Sequence, residues 1–213
     1  MRQAARGSRD NLNLEKRLLV VNGHPDPRPE RFCAALCDAY ELGANASGWE
    51  TQRLNVGSLA LSSVASPKYG DEPPTDMIGA LSNIRWSSQL AIVFPLWFDQ
   101  PPEILRAVFD QLTRWYPASG SHSANDEQPD RIARIVVTMD MPAFIYRALY
   151  RLKKGPEGKT QVLSFSGIHS DEPILVGSVH TISKEQRLHW LEAVRLYGEQ
   201  GAQAPLFPLR KFG

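Results

Sequence analysis

The sequence predicts an open α/β fold in which a mostly parallel sheet lies between helices on both faces. Short apolar runs without polar alternation recur along the 213 residues, as expected for strands that are covered on both faces. Segments with apolar residues at helical spacing separate these runs, and parallel neighbours need such crossover connections. The length suits one domain, so we expect a single domain over residues 15–213 after a flexible tail over residues 1–14.

The composition argues against several classes of protein. The 24 basic and 23 acidic residues nearly cancel, so we expect no nucleic-acid partner. Strongly apolar runs such as residues 90–98 are about half of the ~20 residues that span a bilayer, and residues 1–14 lack the apolar stretch of an export signal. We therefore expect no membrane span and a cytoplasmic location. Cys33 and Cys37 have no further ligand at metal-binding spacing, so we expect two buried helix residues and no metal site.

The first half of the chain predicts a strand, a helix and a second strand. Residues 16–25 form an apolar run that ends in Gly-His-Pro, which predicts the first strand. Apolar residues at helical spacing predict a helix over residues 30–43, where a glycine supplies a stop signal. Residues 49–56 predict a more polar edge strand, and residues 57–75 predict a loop because they are rich in Ser, Pro and Gly.

The second half continues the alternation of helices and strands. We predict a helix at 76–86, a strand at 90–94, a helix opening at 101–102, strands at 131–138 and 161–168, and a closing helix at 183–200. In the closing helix, the spacing leads us to expect Leu188, Leu191, Val194 and Tyr197 on the inward face.

The loops after the first, third and fourth strands are the expected site. Ligands of open parallel sheets bind beyond the carboxyl ends of the strands, near the point where strand order reverses. With a strand order of 2-1-3-4-5, these three strands are contiguous and their loops converge on one cleft. These loops cover residues 22–31, 95–101 and 138–142.

The first loop predicts a seat for an anion. It has neither the glycine pattern of a dinucleotide-binding turn nor that of a P-loop. His24 and Arg31 flank the start of the first helix, whose free N–H groups and positive dipole end suit a phosphate. The alternative for His24 is a turn histidine held by local hydrogen bonds.

The second loop carries an aromatic pair at the mouth of the third strand. Pro95, Leu96, Trp97 and Phe98 could wall a flat heteroaromatic ligand, and burying ring area supplies more binding free energy than a helix dipole. The alternative is that the two aromatic rings cap the core or form a dimer contact.

The third loop offers polar groups to such a ligand. Thr138 can donate a hydroxyl hydrogen bond, and Met139 and Asp140 offer backbone groups, although Asp140 could also be a helix or turn cap. Downstream, Tyr146 could donate a proton near the ring or be an ordinary helix aromatic.

Several segments resemble the NAD(P)H dehydrogenase (quinone) family of the DT-diaphorase type. The most specific is Phe-Pro-Leu-Trp-Phe at 94–98 with Ile-Leu-Arg at 104–106, which is similar to the family's F-P-L-x-W segment and the helix after it. The strand and Gly-His-Pro turn at 19–25, the Phe-Ser-Gly-Ile at 165–168 and the Thr-Met-Asp at 138–140 resemble further family motifs.

The resemblance runs from about Lys16 to Ala202 and implies a flavodoxin-like three-layer sandwich with a five-stranded parallel sheet in the order 2-1-3-4-5. It also implies bound FMN or FAD, NAD(P)H as electron donor, a quinone or similar electrophile as acceptor, a ping-pong hydride transfer and a homodimer. The alternative within this fold is a flavin-binding regulatory subunit of a transporter. An electron carrier of the flavodoxin type and an α/β binding module without flavin are further alternatives.

With a flavin implied by the resemblance, we predict roles for individual residues of these loops. His24 and Arg31 would bind the flavin phosphate or pyrophosphate, and Tyr146 is the candidate catalytic residue. The remaining cofactor-binding candidates are Phe32 at the start of the first helix, Pro95, Leu96, Trp97 and Phe98 around the ring, and Thr138, Met139 and Asp140 at its polar edge.

Overall fold

A computed structural model describes the chain over residues 16–60, 74–98, 100–118, 132–153, 169–170 and 173–201. The strands are β1 (Arg17–Asn22), β2 (Glu50–Asn55), β3 (Gln89–Leu96), β4 (Ile132–Met139), β5 (His169–Ser170) and β6 (Ile174–Val176). The helices are α1 (Phe32–Ala46), α2 (Thr75–Trp86), α3 (Glu103–Ala118), α4 (Ala143–Lys153) and α5 (Lys184–Glu199), with one 3₁₀ turn at Val56–Ser58. In the described part, no helix is both long and apolar enough to cross a membrane.

The described strands form one parallel sheet in the order β2-β1-β3-β4-β5. Two short strands share the fifth position, because β5 pairs with the start of β4 and β6 pairs with its end. This confirms the predicted order 2-1-3-4-5. The strand predicted at residues 161–168 lies outside the described residues. Because β6 pairs with the end of β4, the loop beyond β6 begins at the carboxyl edge of the sheet.

The alternation of side chains along the strands divides the core into two layers. On one face, Leu19 and Ile92 are fully buried against α2 and α3. On the other face, Val20 and Val93 are fully buried against α1 and α5. Burial on both faces explains why these strands lack polar alternation, and it confirms the three-layer flavodoxin-like α/β architecture.

The backbones of α1 and α5 approach each other closely because a glycine of each helix lies at their contact. A Cβ atom on Gly43 would lie 1.8 Å from the carbonyl oxygen of Arg195, and one on Gly198 would lie 2.3 Å from that of Tyr40. From the sheet, the fully buried Arg134 donates a hydrogen bond of 2.7 Å from Nη1 to the carbonyl oxygen of Tyr197. These contacts fix α5 and the loop before it against the sheet.

The inward face of α5 differs from the prediction at Leu188. Val194 and Tyr197 are buried, whereas the side chain of Leu188 is 57% exposed. Each three-residue step along a helix turns ~60° short of a full turn, so residues nine positions apart point in opposite directions. Ser183 begins the helix with a capping box, in which its hydroxyl accepts from the N–H of Gln186 and its own N–H donates to the Gln186 side chain.

Candidate functional site

A cleft of about 550 Å³ lies at the carboxyl edge of the sheet, beyond the ends of β1, β3 and β4. The structure brings nine of the predicted site residues to this cleft: His24, Arg31, Phe32, Pro95, Leu96, Trp97, Thr138, Met139 and Asp140. They meet because the predicted order places β1, β3 and β4 side by side. The volume lies within the ~300 to 1,000 Å³ range of small-molecule sites.

Hydrogen bonds inside the chain fix the loop after β1. The amide nitrogen of Asn22 donates to Oδ1 of Asn55 at 3.1 Å, and the backbone N–H of His24 donates to Oδ1 of Asn22 at 3.2 Å. The next turn closes when the N–H of Asp26 donates to Nδ1 of His24 at 2.9 Å. Nδ1 is therefore an acceptor, and neutral His24 carries its proton on Nε2. Burial lowers the pKa of His24, and the nearby Arg31 acts in the same direction.

The same loop gathers two arginines at the amino end of α1. Arg28 donates to both carboxylate oxygens of Asp26, and Arg31 donates to Oδ2 of the same group from Nε at 2.6 Å. These hydrogen bonds hold the pKa of Asp26 far below its ordinary value. The first turn of α1 contains no acidic residue, and its leading N–H groups lack intrahelical partners. Asp26 and Glu30 balance the formal charges of the two arginines, so this end of the cleft offers an anion the Arg31 guanidinium and the unpaired N–H groups of α1.

A second wall of the cleft is aromatic. The Trp97 ring meets the His24 ring edge-on, with a centroid separation of 5.8 Å, and is 45% exposed. Two backbone hydrogen bonds between Trp97 and Gln100 close a tight turn, with Phe98 inside it at a φ of 49°. Phe98 is fully exposed and does not line the cleft. The structure therefore separates the predicted aromatic pair, leaving Trp97 at the cleft and Phe98 in solvent.

The third wall is formed by the end of β4 and the start of α1. The Oγ1 of Thr138 lies 3.4 Å from Sγ of Cys33, and both residues are buried at the floor. Burial raises the pKa of the Cys33 thiol to about 11, and the contact with Thr138 opposes this only in part. Cys33 is therefore a neutral, uncharged part of the floor at neutral pH, in line with the predicted buried helix residue.

Tyr146 does not reach the cleft. It lies on α4 with 5% of its surface exposed and packs in the core layer beneath Met139 and Leu175. The physical reason is its position four residues into α4, on the face that the helix turns toward the sheet. The predicted proton donor is therefore separated from the residues with which the prediction grouped it.

Two residues that the sequence analysis did not select also line the cleft. His180, in the loop after β6, has its Nε2 3.0 Å from Oδ1 of Asp140. Arg187, on α5, lies over the Phe32 ring at 5.0 Å and donates to the carbonyl oxygen of Val179 at 2.6 Å. The apolar Ile-Leu-Val before Gly177 was the available signal, because it marks a strand whose carboxyl end faces the same edge.

The comparisons with known proteins agree with this architecture. The family model described as "Flavodoxin-like fold" matches residues 16–196. No curated protein sequence matches this chain.

Three solved structures illustrate the structural similarity. The NAD(P)H:quinone oxidoreductase of Methanothermobacter marburgensis aligns with a TM-score of 0.63 at 16% identity, over 90% of this chain and 98% of that one. An NADH:FMN oxidoreductase in its apo form aligns with a TM-score of 0.56 at 14% identity, over 89% and 92% of the two chains. An azoreductase of Bacillus anthracis aligns with a TM-score of 0.53 at 11% identity, over 87% and 99%. Because the family model covers most of the sequence and the sheet has the corresponding strand order, the chain belongs to the flavodoxin-like fold family.

Proposed function

We propose that this chain is a flavin-dependent NAD(P)H oxidoreductase that reduces quinones or similar electrophiles. The observation that carries the proposal is that one cleft has two parts, namely Arg31 with the amino end of α1, which suit an anion, and the Trp97 ring, which suits a planar group. A flavin mononucleotide or dinucleotide has the same division into an anionic tail and a flat ring. The three aligned proteins are named as reductases or oxidoreductases, which supports the same class.

The end of the cleft beside α1 fits a phosphate. The Nε and Nη2 atoms of Arg31 both contact Oδ2 of Asp26, and no described residue binds the remaining Nη1. The leading N–H groups of α1 lie beside it and suit an anion. We therefore assign the flavin phosphate to Arg31 and to the backbone at Phe32 and Cys33, with His24 Nε2 as a further donor.

The other end of the cleft fits a planar ring. Pro95 and Leu96 continue β3 into the cleft, and Trp97 presents an aromatic surface at its mouth. Thr138, Met139 and Asp140 end the neighbouring strand and offer hydrogen-bonding groups to the ring's polar edge. Ring burial against these residues supplies affinity, while the strand ends fix the orientation.

When bound, the flavin supplies hydride chemistry: it accepts a hydride from reduced nicotinamide and passes one to the acceptor. The chain's own residues bind the flavin and orient its ring. Arg31 and the amino end of α1 hold the tail, and Trp97 covers part of the ring. No group of the chain needs to form a covalent bond with the substrate.

The exposed apolar residues fit the predicted homodimer. Both Phe98, in the turn after β3, and Phe144, in the first turn of α4, are exposed and follow strands that end at the cleft. A second copy covering them would remove apolar surface from water and close the acceptor side of the site. We propose this dimer as the active form, and light scattering on purified protein tests it.

The binding experiment compares FMN, FAD and riboflavin on cofactor-free protein by calorimetry. We expect tight binding of FMN or FAD, and about 10- to 100-fold weaker binding of that flavin to Arg31→Ala, the size of a lost charge-assisted hydrogen bond. Riboflavin has no phosphate, so its affinity should stay the same in that variant. Arg85→Ala is the matched control, because Arg85 is at the end of α2, on the opposite edge of the sheet. A wild-type protein that binds no flavin would refute the proposal.

The kinetic experiment separates an enzyme from a regulatory subunit. Steady-state rates with NAD(P)H and menadione, without any partner protein, should give parallel double-reciprocal lines, as expected for a ping-pong cycle. Intersecting lines would contradict the cycle. Flavin binding without turnover would favour the regulatory subunit.

A further inference from the structure

We propose that His180, oriented by Asp140, is the acid that protonates the electron acceptor. This inference rests on the proposed function and deepens it, because it supplies the proton donor that the buried Tyr146 does not provide. The argument depends on the loop between β6 and α5, which the sequence analysis did not select.

The loop that carries His180 is held on several sides. The N–H of Ser178 donates to the carbonyl oxygen of Met141 at 3.3 Å, and that of Val179 donates to the carbonyl oxygen of Met139 at 3.1 Å. Ser178 has a φ of 57°, a left-handed conformation that is uncommon for a residue other than glycine. The preceding Gly177 packs so closely that a Cβ atom would lie 2.4 Å from the backbone nitrogen of Ala143.

These contacts hold His180 at the rim of the cleft beside Asp140. The Nε2 atom of His180 lies 3.0 Å from Oδ1 of Asp140, and 80% and 64% of the two side chains are exposed. Pairs this exposed contribute little to stability, so stability alone does not account for a strained loop that positions one. Because Asp140 engages Nε2 and no described residue binds Nδ1, Nδ1 is free to exchange a proton with a ligand in the cleft.

The chemistry requires one proton from the protein side. Reduction of a quinone to a hydroquinone adds two electrons and two protons, and a hydride from the reduced flavin brings both electrons with one proton. The second proton passes from Nδ1 of protonated His180 to the acceptor oxygen, so that an N–H bond breaks and an O–H bond forms. Asp140 holds the ring orientation through its contact with Nε2, and water returns the proton to the exposed ring afterwards.

Other groups at the cleft are less suited to this step. Nδ1 of His24 already accepts the N–H of Asp26, and burial lowers the pKa of His24, which disfavours the protonated form. The remaining charged groups that line the cleft are Asp26, Glu30, Arg31 and Arg187. Glu30 directly precedes the N-cap of α1, at the end of the cleft assigned to the flavin phosphate. Asp26 accepts hydrogen bonds from two arginines, and the arginines keep their protons at physiological pH.

The test compares two acceptors in single-turnover experiments. Flavin-loaded protein is reduced with dithionite and mixed with 1,4-benzoquinone, which takes up protons, or with ferricyanide, which takes only electrons. We expect His180→Gln to slow reoxidation by the quinone about 10- to 100-fold, which is the lower part of the range for general acids. The rate of reoxidation by ferricyanide should stay within about twofold of the wild-type rate. Asp140→Asn should slow the quinone step by about 10-fold, and His189→Gln, on the exposed side of α5, should change neither.

A second measurement needs neither flavin nor turnover. Long-range ¹H–¹⁵N spectra of the cofactor-free protein should show the His180 ring resonances shifting in Asp140→Asn while those of His189 stay in place. Equal slowing of both acceptors by His180→Gln, no slowing of either, or an unchanged His180 ring in Asp140→Asn would overturn the inference. If NAD(P)H fails to reduce the bound flavin of the wild-type protein, the proposed function itself fails, and this separate observation distinguishes the two.

Discussion

Replacing Gly43 by alanine tests how closely α1 and α5 must approach. The new Cβ atom would meet the carbonyl oxygen of Arg195 at 1.8 Å and its carbonyl carbon at 2.8 Å. Both atoms belong to the backbone of α5, so no side-chain rotation relieves the clash. The helices must instead separate by roughly 1.5 Å to reach ordinary contact, which loosens the packing of Tyr40 and Val194 between them.

Two opposing effects decide the size of the change. Alanine favours a helix over glycine by about 1 kcal/mol, whereas overpacking a core costs typically ~1 to 3 kcal/mol and more where backbone cannot move. We expect a net loss of about 2 to 4 kcal/mol in the free energy of unfolding. For a chain of this length, that loss lowers the midpoint of thermal unfolding by about 5 to 15 °C.

Urea denaturation followed by circular dichroism measures the effect, and Gly79→Ala is the matched control. Gly79 is also inside a helix, but a Cβ atom there would have nothing within 4 Å. The control should gain about 0.5 to 1 kcal/mol from helix propensity alone. A Gly43→Ala protein as stable as the wild type would refute the reasoning, because it would mean that α1 and α5 lie further apart than described.

Three further predictions concern the cleft floor, its aromatic wall and the face of α5. Trp97→Ala should weaken flavin binding about 10- to 100-fold in calorimetry, while Phe98→Ala should change it less than about twofold, because only Trp97 lines the cleft. Equal losses in both variants would contradict the described wall. Because burial raises the pKa of Cys33 to about 11, the folded state keeps this thiol neutral while the unfolded chain ionises it near its ordinary value. The contribution of the thiol to stability is therefore complete below about pH 8.5 and is lost as the pH rises toward 11, by up to about 3 kcal/mol. In urea unfolding, the free energy of unfolding of Cys33→Ala should fall less between these two pH values than that of the wild type. An identical fall in both proteins would count against the buried thiol. Leu188→Lys should change the free energy of unfolding by less than about 0.5 kcal/mol, whereas Val194→Ala should lower it by about 1 to 3 kcal/mol, because only Val194 is buried. A large loss in the free energy of unfolding of Leu188→Lys would instead support the inward position of Leu188 that the spacing predicts.

The amino-acid sequence by itself determined the strands and the loops that follow them, and the family resemblance implied the strand order that brings three of those loops together. In a parallel sheet, each loop that follows a strand begins at the same edge, so His24, Trp97 and Thr138 could be grouped without coordinates. Their grouping depends on local patterns, namely apolar runs that end in Gly, Pro or polar residues, and these patterns are readable along the chain.

The tertiary structure decided which side chains actually face that cleft. Phe98 follows Trp97 directly, yet a tight turn sends it to solvent, and Tyr146 turns into the core because of its place on α4. His180 contacts Asp140, which lies forty residues earlier in the chain, because the short strand β6 pairs with β4. The periodicity of the sequence does not show that pairing. Contacts of this kind depend on the packing of distant backbone segments, and for that reason three-dimensional folding, rather than local spacing, determined them.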